Sequence, residues 1–71
     1  MVNTNKIKGR IVELGMTYKD IAFALNLALP TVSQKVNNVR PMYLHEAESL
    51  ARLLKIIPED FTTYFFIDYV A

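Results

Sequence analysis

Pro30 is the residue that most constrains how this chain can fold. Proline breaks the interior of a helix, because it lacks a backbone N–H and its ring collides with the preceding turn, but the first turn accepts it. In the stretch "LPTVSQKV", Val32 and Val36 follow Pro30 and are one helical turn apart. Pro30 therefore predicts that a helix begins here and spans about residues 29–37.

A second helix start is indicated just upstream, at Thr17. The Thr17 hydroxyl can accept a hydrogen bond from the amide of Asp20, and the Asp20 carboxylate can accept one from the amide of Thr17. The helix that follows ends near Leu25, and Asn26 can turn the chain because asparagine tolerates a positive φ. Two short helices joined by such a turn form a helix-turn-helix, here at about residues 17–38.

Three more segments show apolar residues at helical spacing. They predict helices over about residues 4–14, 44–55 and 58–66. Residues 67–71 are rich in strand formers, so that a strand, a helix end and a dimer contact all remain open for them. The pattern predicts one all-α domain, residues 1–71, built as a compact bundle of about five short helices.

Composition argues against an enzyme. The 71 residues include no cysteine and a single histidine, His45, which excludes disulfide frameworks and the usual zinc sites. A pocket able to enclose a small molecule would compete with the core for the same few apolar residues. We therefore expect a protein that works at its surface, with no catalytic site, cofactor, metal or small-molecule substrate.

The hydropathy pattern predicts a cytoplasmic protein. No apolar run approaches the roughly 20 residues that cross a bilayer. The amino terminus also lacks the basic region and apolar core of a secretion signal. We accordingly expect no membrane partner.

The two parts of the chain differ in charge, although the net charge is only +1. Residues 1–40 contain six basic and two acidic side chains, whereas residues 41–71 contain two basic and five acidic ones. Such a division is typical of a basic working surface carried on an acidic scaffold. A nucleic acid is a natural partner for the basic part.

The sequence resembles the phage Cro and repressor helix-turn-helix family, with a lambda-repressor-like fold. The resemblance covers about residues 5–66 and rests on "KGRIVELGMTYKDIAFALNLALPTVSQKVNN" and "YLHEAESLARLLKIIPEDFTTYFF". It implies binding to double-stranded operator DNA as a homodimer, with the second motif helix in the major groove. The chain departs from the family at Asn26, where glycine is usual, and at Lys35, where an apolar residue is commoner.

The resemblance also implies roles for individual residues. Gln34 would bond to adenine and Leu29 would pack on a thymine methyl group. The residues implied to read bases are Ala28, Leu29, Pro30, Thr31, Ser33, Gln34 and Lys35. Those implied to bind phosphates are Lys6, Lys8, Arg10, Thr17, Tyr18, Lys19, Asn37, Asn38 and Arg40. The dimer contact is predicted at aromatic and apolar residues near the carboxyl end, namely Tyr64, Phe66, Ile67 and Tyr69.

The function predicted from these features is that of a short Cro-like transcriptional repressor of phage or prophage origin. One alternative is the DNA-binding antitoxin of a toxin–antitoxin pair. Another is a helix-turn-helix scaffold that now binds a protein, an idea supported by the apolar Leu29-Pro30 pair on the reading surface.

Overall fold

A computed structural model describes residues 1–66, which form five α-helices and one turn of 3-10 helix, with no strand among them. The α-helices are α1 (Thr4–Glu13), α2 (Tyr18–Leu25), α3 (Leu29–Val36), α4 (Leu44–Leu53) and α5 (Phe61–Tyr64). The 3-10 turn, Pro58–Asp60, leads directly into α5. The predicted all-α bundle of about five short helices is therefore confirmed. The predicted fifth helix is shorter than expected, because its first turn is 3-10 and Phe65 is already extended.

One apolar core joins all five helices. Helix α2 packs on both α3 and α4, and α1 packs on α3 and α5. The buried apolar residues are Val2, Ile7, Ile11, Ile21, Ala22, Val32, Val36, Ala47, Leu50, Ala51, Leu54 and Phe65. Burying so many branched and aromatic side chains is the main source of stability in a small domain.

The capping signals read from the sequence set the start of α2. The amide of Asp20 donates to Thr17 Oγ1 at 3.2 Å, and the amide of Thr17 donates to Asp20 Oδ2 at 2.8 Å. At the other end Asn26 adopts the left-handed conformation, with φ 56° and ψ 47°. The chain then turns through residues 26–28, and Pro30 lies in the first turn of α3. Local sequence thus fixes how α2 and α3 follow each other.

Among residues 1–66, no helix has both the length and the apolar character that a bilayer span requires.

Candidate nucleic-acid interface

The outward side of α3 presents most of the residues predicted to read bases. Leu29 is 43% exposed, and Ala28 and Pro30 beside it are exposed as well. Ser33 and Gln34 are half-buried one turn further along, and Gln34 lies on the side of α3 away from the buried Val32 and Val36. We call this surface, made of Ala28, Leu29, Pro30, Ser33 and Gln34, the α3 face. Thr31, half-buried, flanks it.

Lys35 does not belong to the α3 face, which corrects its assignment as a base-reading residue. Only 6% of it is exposed, and its Nζ forms an ion pair with the Glu46 carboxylate on α4. Its ammonium group also lies 4.7 Å from the centre of the Tyr43 ring. The physical reason is its position between Val32 and Val36, on the side of α3 that packs inward. The sequence indicated this inward position, because the helix-turn-helix family that it resembles usually has an apolar residue here.

Besides Asn38, five residues predicted to bind phosphates are exposed. They lie at the start of α2, in the loop after α3 and along α1, and they are Thr17, Lys19, Arg40, Lys6 and Lys8. Lys6 Nζ lies 5.1 Å from the centre of the Tyr64 ring on α5. The Thr17 hydroxyl is occupied by the cap of α2, but its oxygen remains at the surface.

Arg40 is fixed next to the end of α3 by its backbone. The carbonyl of Gln34 accepts hydrogen bonds from the amide of Val39 at 2.8 Å and from the amide of Arg40 at 3.2 Å. The loop therefore folds back on the last turn of α3 rather than leaving it. The backbone of Arg40 is thus held beside Gln34, a residue at the outer side of α3, and its side chain is exposed.

Arg10, which is predicted to bind phosphate, uses its guanidinium group in contacts within the domain. Its Nε donates to the carbonyl of Leu54 at 2.8 Å, and its Nη2 donates to the carbonyl of Lys55 at 3.4 Å. Glu13, one turn away on α1, lies 3.8 Å from the same guanidinium group. Arg10 thus closes the carboxyl end of α4, where a positive charge is favourable.

Both asparagines that follow α3 also use their carboxamides inside the protein. Asn37 Nδ2 donates to the carbonyl of Ser33 at 2.8 Å. Asn38 Oδ1 accepts from the amide of Val2 at 2.8 Å, while its Nδ2 donates to the Val2 carbonyl at 3.0 Å and to Thr4 Oγ1 at 3.2 Å. Both carboxamides thus have partners within the protein, and their phosphate contacts stay predictions.

Tyr18 is likewise turned inward. The residue is half-buried against the core, and within the described part of the chain its buried hydroxyl has no hydrogen-bond partner. The phenol thus points into the protein, and the phosphate contact of Tyr18 stays a prediction. Its place one residue after the cap gave no indication of which way the ring would point.

The stretch of sequence that contains the α3 face carries basic residues and no acidic ones. No acidic residue occurs in the sequence between Asp20 and Glu46, a stretch that contains α3 and the loops on both sides. Among the described residues, no side chain caps the start of α3, where Ala28 occupies the N-cap position. The amides of Leu29 and Thr31 in the first turn are therefore available to an acceptor from outside.

The residues predicted for a dimer contact lie partly in the core. Tyr64 and Phe66 are half-buried, and the Phe66 ring centre lies 6.2 Å from that of Phe61. Ile67 and Tyr69 fall outside the described residues. Sequence reasoning missed a more exposed apolar surface beside Phe66, at Tyr43 and Leu44, which are 58% and 59% exposed. Its signal was the apolar run "PMYL" before α4.

No family model matches this sequence, and no curated protein matches it significantly. Within residues 1–66, no three His, Asp or Glu side chains come together as a metal site would require. The candidate site is therefore the α3 face, which presents polar and apolar groups, together with the exposed Lys19 before it and Arg40 after it in sequence.

Proposed function

We propose that this protein is a sequence-specific DNA-binding repressor of the Cro type, from a phage or prophage. The observation that carries the proposal is the α3 face, an exposed helix surface that follows α2 by a three-residue turn and has no acidic residue near it in sequence. An exposed helix entered through such a turn is the element that helix-turn-helix proteins insert into the major groove. The resemblance of residues 5–66 to the Cro and repressor family supports the same conclusion.

Within this proposal, the α3 face reads bases. Gln34 has a carboxamide that can donate and accept at the edge of adenine, and Leu29 can pack on the methyl group of thymine. Ser33 accepts or donates and therefore discriminates less. Lys19 at the start of α2 and Arg40 after α3 contact the phosphates on the two sides of the groove.

The protein acts as a homodimer in the cytoplasm of a bacterial host. Two copies would place α3 in successive major grooves, about 34 Å apart or a multiple of that distance. The exposed Tyr43 and Leu44 lie beside Phe66, one residue of the predicted contact, and we include them in the surface between the subunits. Bound at a promoter, the dimer represses transcription by obstructing polymerase.

A second candidate is a protein-interaction module built on the same scaffold. Its support is the exposed apolar surface of the two motif helices, where Phe23 on α2 is 91% exposed and Leu29 on α3 is 43% exposed. Under this alternative, Leu29→Ala abolishes binding of a protein partner and Arg40→Ala changes nothing.

The experiment that tests the proposal is selection from a pool of random duplexes, followed by affinity measurements across salt concentration. We expect a palindromic site to be enriched and Gln34→Ala to relax the preference at one base pair. Arg40→Ala should weaken binding to all sequences alike and lower the salt slope by about one unit.

The matched control is Arg52→Ala, which removes the same charge from an exposed position on α4, in the acidic part of the chain. It should leave the affinity and the salt slope unchanged. Equal effects of the two arginine variants would mean that net charge alone drives binding. Failure to enrich any site, together with an affinity that does not depend on salt, would refute the proposal.

A further inference from the structure

Lys35 is the one charged residue that the structure buries among residues 1–66. It lies on the inward side of α3, directly behind the α3 face, and its Nζ pairs with Glu46 Oε2. The Glu46 side chain is itself only 12% exposed. The Tyr43 ring covers the ammonium group at 4.7 Å and is stacked in turn on His45, with ring centres 6.1 Å apart.

Glu46 makes a second bond that connects this pair to the loop after α3. Its other carboxylate oxygen, Oε1, accepts from the amide of Tyr43 at 2.8 Å and so caps the start of α4. One carboxylate therefore joins the end of α3 to the start of α4. The loop between them, which carries Arg40, is held at its first part by the Gln34 carbonyl and at its last residue by Glu46.

A buried ion pair contributes little net stability to a fold. Removing two charges from water costs about as much as their attraction returns, and well-packed apolar side chains of similar volume often hold two helices together equally well. An apolar contact, however, leaves the helices free to rotate and slide slightly against each other. Directed bonds at both oxygens of Glu46 restrict that freedom, so the pair fixes geometry more than it adds stability.

Building on the proposed DNA-binding function, we propose that Lys35 and Glu46 are positioning residues for DNA recognition. The pair holds the α3 face and the Arg40 loop in one mutual arrangement, so that base contacts and phosphate contacts can form on the same half-site. Neither residue touches DNA. Their loss is expected to reduce discrimination between sequences, whereas binding to unrelated DNA depends on charge and should persist.

The test is the double variant Lys35→Met/Glu46→Gln. Methionine retains much of the volume of the lysine stem, glutamine can still accept from the amide of Tyr43, and the net charge is unchanged. Three quantities are measured: Tm, the ratio of affinities for the selected site and a scrambled duplex, and amide hydrogen exchange at Val39 and Arg40. We expect the ratio to fall about tenfold. Affinity for the scrambled duplex should be constant and exchange at both amides faster, with Tm shifted by less than about 5 °C.

Two further variants keep the test decisive. Glu48→Gln removes an exposed carboxylate from the same helix and should change none of the three quantities. Glu46→Asp keeps the charge but is one methylene too short to reach both partners, so it should lower the ratio even if the double variant does not fold. An unchanged affinity ratio and unchanged exchange in either Glu46 variant would overturn the proposal. If the wild type binds no duplex at all, the proposed function fails, while exchange at Val39 and Arg40 still decides whether the pair positions the loop.

Discussion

Substitution of Asn38 separates its role inside the protein from the DNA contact first predicted for it. Its carboxamide makes three hydrogen bonds, two to the backbone of Val2 and one to Thr4, and its backbone is left-handed with φ 61°. A hydrogen bond contributes about 1 kcal/mol net, and partial exposure reduces this, so Asn38→Gly should cost about 2 kcal/mol. Asn38→Ala should cost about 1 kcal/mol more, because alanine is strained in the left-handed region.

Thermal unfolding followed by circular dichroism measures this difference directly. For a domain of this size, 1 kcal/mol shifts Tm by about 4–8 °C, so we expect a Tm lower by about 10 °C for Asn38→Gly and about 15 °C for Asn38→Ala. Asn5→Ala, at an exposed position in the first turn of α1, is the control and should stay within about 0.5 kcal/mol of the wild type. A Tm for Asn38→Gly within about 2 °C of the wild type would refute the structural role.

Two further predictions concern Glu46 and the subunit surface. Burial raises the pKa of the Glu46 carboxyl. Hydrogen bonds from Lys35 and from the Tyr43 amide, together with the charges of Lys35 and His45, lower it by more, so the pKa lies below its ordinary value. Glu46 therefore adds stability above its unfolded pKa of about 4.3 that is lost as pH falls through the lower folded pKa. Urea unfolding between about pH 2 and 6 should show a shallower loss of stability on acidification for Glu46→Gln, and an identical slope would contradict this. Leu44→Asp places a charge on an apolar surface residue and should shift sedimentation toward the monomer, whereas Val12→Asp, at an exposed residue of α1, should not.

The parts of the fold that the sequence predicted are those set by residues close to one another in the chain. Thr17 and Asp20 are three positions apart and form the predicted cap, and Pro30 opens α3 as its fixed φ requires. The outward position of most of the α3 face followed from the spacing of Val32 and Val36. Local patterns thus predicted the five helices and most of the α3 face.

The bonds of Asn38 and Arg10 were not predicted, because their partners lie far away in the sequence. Asn38 bonds to a residue 36 positions away, and Arg10 bonds to a carbonyl 44 positions away. From the sequence alone Arg10 is a cation on the first helix and Asn38 is a polar residue after the third, and both suit a phosphate contact equally well. The inward position of Lys35 could be inferred from the sequence. Only the fold, however, brings the Glu46 carboxylate to it, and this partner offsets the cost of burying its charge.

The bonds made by the first helix and the residues before it bear on how the domain is completed during synthesis. Asn3 donates to the carbonyl of Tyr64, Val2 pairs with Asn38, and Arg10 closes the helix that ends at Leu53. Several partners of α1 and of the residues before it therefore lie near the carboxyl end of the described chain, although α1 also packs on α3. Until about residue 64 has emerged, α1 can pack on α3 but lacks its bonds to the carboxyl end of α4 and to Tyr64. The protein should therefore reach its full resistance to protease only at a late step, and ribosome-bound chains stopped after α4 should be more sensitive within α1 than chains that extend through α5.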